Sequence, residues 1–108
     1  MYNQAHELAK AMKESKEFQE YKAQHDIVMK NETQKKMIED YREKIMALQM
    51  DMAQGNPMDD KKMEELRSLE QLMNANTAVR TFLEAEQRFA TAYGDVQKII
   101  SDAISLSE

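Results

Sequence analysis

Cysteine is absent from these 108 residues. That removes disulfides, thiolate metal sites and cysteine nucleophiles together, and it fits a reducing cytoplasm. Two glycines and one proline leave too few turn residues for an all-β fold. No long apolar run occurs. Residues Met1 to Lys13 include Glu7, Lys10 and Lys13, so neither a signal peptide nor a membrane span is expected. No Gly-rich phosphate loop, GxSxG elbow or EF-hand loop is found. Basic patches interleaved with stacking aromatics are missing too.

What is present favours helix. Charged residues make up 32% and hydrophobic ones 42%, which places the chain among soluble globular proteins rather than disordered tails. Its length fits a single domain, residues 1–108. The strong helix formers Ala, Glu, Lys, Leu, Met and Gln dominate. A net charge of −5 disfavours a general binder of phosphate backbones.

Apolar residues recur at helical spacing, and five helical segments follow. The first spans about Asn3 to Glu14, with Tyr2, Ala5, Leu8, Ala9 and Met12 in one narrow stripe. Ser15 is placed to cap the second, which carries Phe18, Tyr21, His25 and Val28. Asn31 is the next cap candidate, with Gln34 where a capping box needs it.

The third helix runs roughly from Glu32 to Gln54. Ile38, Tyr41, Ile45, Leu48 and Met52 form a heptad seam on it. Asp40–Lys44 and Glu32–Lys36 are favourably oriented pairs one turn apart. Gly55-Asn56-Pro57 breaks the helix. The fourth, about Asp60 to Asn74, carries Met63, Leu66, Leu69, Leu72 and Met73. A short turn between two long helices predicts an antiparallel hairpin.

Asn74 to Thr77 forms a second joint, either a break or a kink. Asn76 suits the cap of a last helix, about Thr77 to Ser105, that aligns Phe82, Ala85, Phe89, Ala92, Val96, Ile99 and Ala103, with Tyr93 beside them. Gly94 falls inside it. A notch for close helix approach is the preferred account, and a helix break competes. The expected fold is therefore all-α: an antiparallel helical bundle of about five helices with a long helical hairpin.

Catalytic and metal readings find little support. His25 sits on an apolar seam, where a partly buried, hydrogen-bonded histidine is the expectation. No Glu-x-x-His pair suits a di-iron bundle, and no His or Cys cluster suits zinc. The paired acids lie among lysines on solvated faces. No enzyme activity, cofactor or metal is expected. Ten methionines are many for this length. They can be core filling, or they can form a surface that repacks against several partners. Met46, Met50, Met58 and Met63 cluster about the hairpin tip and are the candidate adaptable surface.

A helix of about 28 residues reaches roughly 40 Å, against a radius of gyration near ~13 Å for a domain this size. Long helices then carry apolar stripes that need cover, and a second copy is the simplest cover. The candidate packing and interface residues are Ile38, Tyr41, Ile45, Leu48, Met52, Phe82, Phe89, Tyr93 and Val96. A cytoplasmic, self-associating adaptor for other proteins is the first reading. RNA or ribonuclease association through Lys35, Lys36, Lys61 and Lys62 is the alternative, although interleaved acids disfavour direct nucleic-acid binding.

Three stretches carry a family resemblance: Ala5-His6-Glu7-Leu8-Ala9-Lys10-Ala11-Met12 continuing to Phe18, then Lys36-Met37-Ile38-Glu39-Asp40-Tyr41-Arg42, and Glu84-Ala85-Glu86-Gln87-Arg88-Phe89 leading to Ile99-Ile100. In order and spacing the chain resembles the YlbF/YmcA family of small all-helical bacterial proteins, and is most similar to its YheA-like branch. The resemblance covers nearly the whole chain. It implies an antiparallel helical bundle with long protruding helices, usually oligomeric. Some relatives regulate competence, biofilm formation and sporulation in a protein complex linked to ribonuclease Y and messenger-RNA processing. Some of those bind iron–sulfur clusters through cysteines, which this chain lacks, so that cofactor does not carry over.

Overall fold

The computed structural model describes residues 1–57 and 59–106. Five helices follow in order: α1 Tyr2–Lys13, α2 Lys16–Met29, α3 Glu32–Ala53, α4 Asp60–Ala75 and α5 Thr77–Ala103. No strand occurs among the described residues. The expected all-α architecture and its hairpin are both present. Helix ends differ from the sequence reading by one or two residues, as frayed termini do.

The breaks between helices have local chemical causes. Ser15 joins α1 to α2 with one hydroxyl. It donates to the Met12 carbonyl (2.6 Å) and accepts from the Phe18 N–H (3.2 Å). Asn31 caps α3 by accepting from the Gln34 N–H at 2.9 Å. The second half of a capping box is pre-empted, because the Asn31 N–H already donates to the Val28 carbonyl at 3.2 Å. The Gln34 side chain turns instead to Asn76 Oδ1, at 3.5 Å.

Gly55 takes φ +74° after α3, a left-handed conformation that costs glycine nothing. Asp59 then caps α4, accepting from the Lys61 N–H at 2.9 Å. The second joint is a true break at one residue. Asn76 is extended, ends α4, and accepts from the Val79 N–H at 3.1 Å to start α5. Gly94, by contrast, lies inside a continuous α5. A Cβ there would meet no other group within 4 Å, so it is neither a break nor a notch against a neighbouring helix within the chain.

The chain folds as two compact units. One holds Asp26–Thr81 and centres on α3 and α4, which pack antiparallel across the Gly55 turn. Its buried core is Val28, Ile38, Leu66, Leu69, Met73 and Val79. Lys62 reaches back to Asp51 at 3.1 Å and ties the tip of this hairpin. The seam on α3 fades towards that tip. Ile38 is fully buried, Tyr41, Ile45 and Leu48 are half-buried, and Met52 is 62% exposed. Met52, expected on the seam, is instead open to solvent.

The other unit holds Met1–His25 and the chain from Phe82 onward. Here α5 runs antiparallel to α1 and α2, and aromatic rings hold it to α2. Phe18 meets Phe89 edge-on at 5.2 Å, and Tyr21 stacks between Phe89 (5.7 Å) and Phe82 (5.8 Å). Phe82 and Ala85 are buried. Burying a phenylalanine fully is worth about 1.5–3 kcal/mol, and ring pairs add about 0.5–1.5 kcal/mol more. His25 ends the ladder, 6.0 Å from the Phe82 ring. It is exposed rather than partly buried, although the Tyr21 and Phe82 rings both lie beside it.

Candidate protein-interaction surfaces

In the unit that holds Met1–His25 and the chain from Phe82 onward, α1 buries none of its residues. Its stripe of Ala5, Leu8, Ala9 and Met12 faces Tyr93, Val96 and Ile100 of α5 across an open groove of about 570 Å³. The small alanines of α1 and the long span of α5 leave this groove unfilled. Beyond it, Ile99 is 69% and Ile104 73% exposed. Gln97 and Ser101 are its polar lining residues, and the rest of the lining is apolar or aromatic.

The α3–α4 unit offers different surfaces. A shallow groove of about 160 Å³ lies between the helices, with Ala47, Leu48, Met63 and Leu66 as its apolar lining and Lys44, Lys62 and Glu65 at its rim. Met46 and Met50 stand outside it, 63% and 62% exposed. Met63 is half-buried. Of the four methionines expected at the tip, Met58 lies outside the described residues.

Titratable chemistry is sparse. Burial, and then the nearby Glu70 carboxylate, push the Tyr41 hydroxyl above its ordinary 10.0. Among the described residues no polar or charged side chain is buried. Nor do three or more His, Asp or Glu residues among them gather as metal ligands would. No helix of the described residues is long and apolar enough to cross a membrane. Of the four lysines of the basic spots, Lys62 pairs with Asp51.

The nine expected packing residues therefore divide. Ile38 and Phe82 belong to the interior of their units, and Tyr41, Ile45, Leu48 and Phe89 are half-buried there. Tyr93 and Val96 line the α1–α5 groove, while Met52 is open to solvent. The α1 stripe and the α5 stripe are each visible in the sequence, and the structure brings them together along one groove.

Residues 1–105 match the family described as control of competence regulator ComK, YlbF/YmcA. A UPF0342 protein of Symbiobacterium thermophilum is 34% identical over 106 residues, covering 98% of this chain and 95% of that protein. Another, of Desulfitobacterium hafniense, is 36% identical over 110 residues, covering 96% and 84%. A UPF0342 protein of Halothermothrix orenii is 30% identical over 106 residues, covering 98% and 90%. Among solved structures, a protein of unknown function (DUF964) from Bacillus stearothermophilus superposes with a TM-score of 0.84. It has 21% identity and covers 95% of this chain and 90% of that one. That likeness speaks to the fold.

Proposed function

Because the chain belongs to the YlbF/YmcA family, we propose that it is a non-catalytic regulatory adaptor that pairs with a second copy of itself and holds other proteins. The observation that carries this reading is the open apolar groove between α1 and α5, continued by Ile99 and Ile104. Each large aliphatic side chain left in water forgoes about 1.5–3 kcal/mol of burial. A second groove brought against the first by a two-fold axis recovers it, and such an arrangement is the commonest way soluble chains pair.

The regulatory part of the reading follows from the family. Its description concerns control of a competence regulator, and the resemblance extends to biofilm formation, sporulation and ribonuclease-linked messenger-RNA processing. Cytoplasmic residence belongs to the same proposal. The RNA-binding alternative is not adopted, because the lysines it would use are interleaved with acids and the chain carries a net −5.

Affinity capture from the native cell tests the adaptor role. A tagged wild-type chain is expected to retain untagged copies of itself together with a reproducible set of regulatory proteins. Leu8→Asp with Ile100→Asp is expected to lose the untagged copies. A tagged chain that retains neither its own copies nor other proteins would contradict the proposal.

A further inference from the structure

Thioethers and branched side chains are sorted on α3. Ile38 is buried, and Ile45 and Leu48 are half-buried. Every large apolar side chain that α3 leaves exposed is a methionine: Met46 at 63%, Met50 at 62% and Met52 at 62%. On α5 the exposed positions go instead to isoleucines, Ile99, Ile100 and Ile104. An apolar surface as such needs no sulfur, so the sorting on α3 asks for a reason in the chemistry of sulfur.

Position narrows that reason. At about 100° per residue, Met46 and Met50 stand about 40° apart around the helix, and Met52 about 160° from Met50. A docked helix covers one side of α3 and leaves Met52 out. A small diffusible solute reaches all three. No cysteine competes for it anywhere in the chain.

An exposed thioether reacts with a two-electron oxygen donor, a peroxide or a hypohalous acid. With hydrogen peroxide, the sulfur lone pair takes one oxygen as the O–O bond breaks, and sulfur gives up two electrons. The other oxygen leaves as water with both peroxide hydrogens. The flexible apolar side chain becomes a polar sulfoxide. Met73 is the one methionine in the buried core among the described residues, 3% exposed, and such a solute does not reach it while the unit stays closed.

We propose that the C-terminal half of α3 is a reversible oxidation site, at which Met46, Met50 and Met52 become sulfoxides while the α3–α4 core keeps its packing. The surface changes from apolar to polar with the helices intact. Reversal takes two thiols, which form a disulfide as the sulfoxide oxygen leaves as water. The chain has no thiol, so a methionine sulfoxide reductase supplies them. The proposal stands apart from self-pairing, since none of the three lines the α1–α5 groove.

The test treats the full chain with increasing hydrogen peroxide, and peptide mass spectrometry reads the oxygen at each methionine. Met46, Met50 and Met52 are expected to oxidise roughly tenfold or more faster than Met73, since a buried group reacts only when its unit opens. They should also precede the half-buried Met37 and Met63. Met1, exposed at the chain start, is scored apart. Circular dichroism at the dose that oxidises the three should match the untreated protein, and a sulfoxide reductase with dithiothreitol should remove the oxygen. Met46→Leu with Met50→Leu and Met52→Leu should lose the fast uptake and keep the helices, and the wild-type oxidation map stands whether or not that variant folds. In the native cell, a pulse of hypochlorous acid should place sulfoxide on the same three, and recovery should clear it. Met73 reacting as fast as the three, helix lost at that dose, oxygen that the reductase leaves in place, or stressed cells with no sulfoxide at these positions would overturn the proposal.

Discussion

Tyr21 and Phe89 lie face to face, their ring centroids 5.7 Å apart and their planes within 9°. The pair joins α2 to α5 across 68 residues of chain. Around it, Phe18, Phe82 and His25 extend the contact into a ladder along both helices. Large rings hold these two helices where smaller aliphatic side chains would leave a gap.

Truncating the ladder should therefore cost stability in proportion to burial. Phe82→Ala is expected to destabilise by about 3–5 kcal/mol, and the half-buried Phe89 by less, about 2 kcal/mol. A double-mutant cycle on Tyr21 and Phe89 should leave a coupling of about 0.5–1.5 kcal/mol. Urea unfolding followed by circular dichroism measures both.

The joint at Asn76 carries α5 on one side chain. Its amide oxygen accepts from the Val79 N–H at 3.1 Å and from Gln34 at 3.5 Å. Asn76→Ala should cost about 1 kcal/mol. Asn76→Asp should recover most of that loss in thermal melts, since a carboxylate also caps and favours the helix start.

The two glycines should respond with opposite sign. Gly55 sits at φ +74°, so Gly55→Ala should destabilise by about 1 kcal/mol. Gly94 is helical with open space around it, so Gly94→Ala should stabilise by about 0.5–1 kcal/mol. Paired melting curves decide both.

Tyr41 gives a signature at alkaline pH. Its folded-state pKa is raised, first by burial and then by Glu70, so the fold favours the protonated phenol. That contribution is fully present below the ordinary 10.0 and is lost as pH climbs through the higher folded value. The wild type should lose stability above pH 10 more steeply than Tyr41→Phe. Parallel curves for the two proteins would show that the phenol is not linked to folding.

Much of this was legible along the chain. Ser15, Asn31, Gly55 and Asn76 mark the joints because capping and left-handed turns are local chemistry, readable within four residues. The antiparallel α3–α4 hairpin follows from two amphipathic helices and a short turn. The pairing of Phe18 and Tyr21 with Phe82 and Phe89 is not written locally, since partners some 70 residues apart share no spacing rule. The exposure of Met52 and His25 escaped for a related reason. Helical periodicity names a face but not how far the opposing helix covers it. Gly94 shows the same limit, since a small residue marks a close approach only when a neighbour is there. The α1–α5 groove was half legible: both stripes were visible, and their meeting was not.

Sedimentation equilibrium at micromolar concentration tests the proposed pairing most directly, run on the wild type and on Leu8→Asp with Ile100→Asp. Apolar surface along α1 and α5 should draw two chains together, giving twice the 12.6 kDa chain mass for the wild type and the single mass for the variant, both fully helical. A wild type that stays at the single mass across that range, or a variant that pairs as well as the wild type, would contradict it.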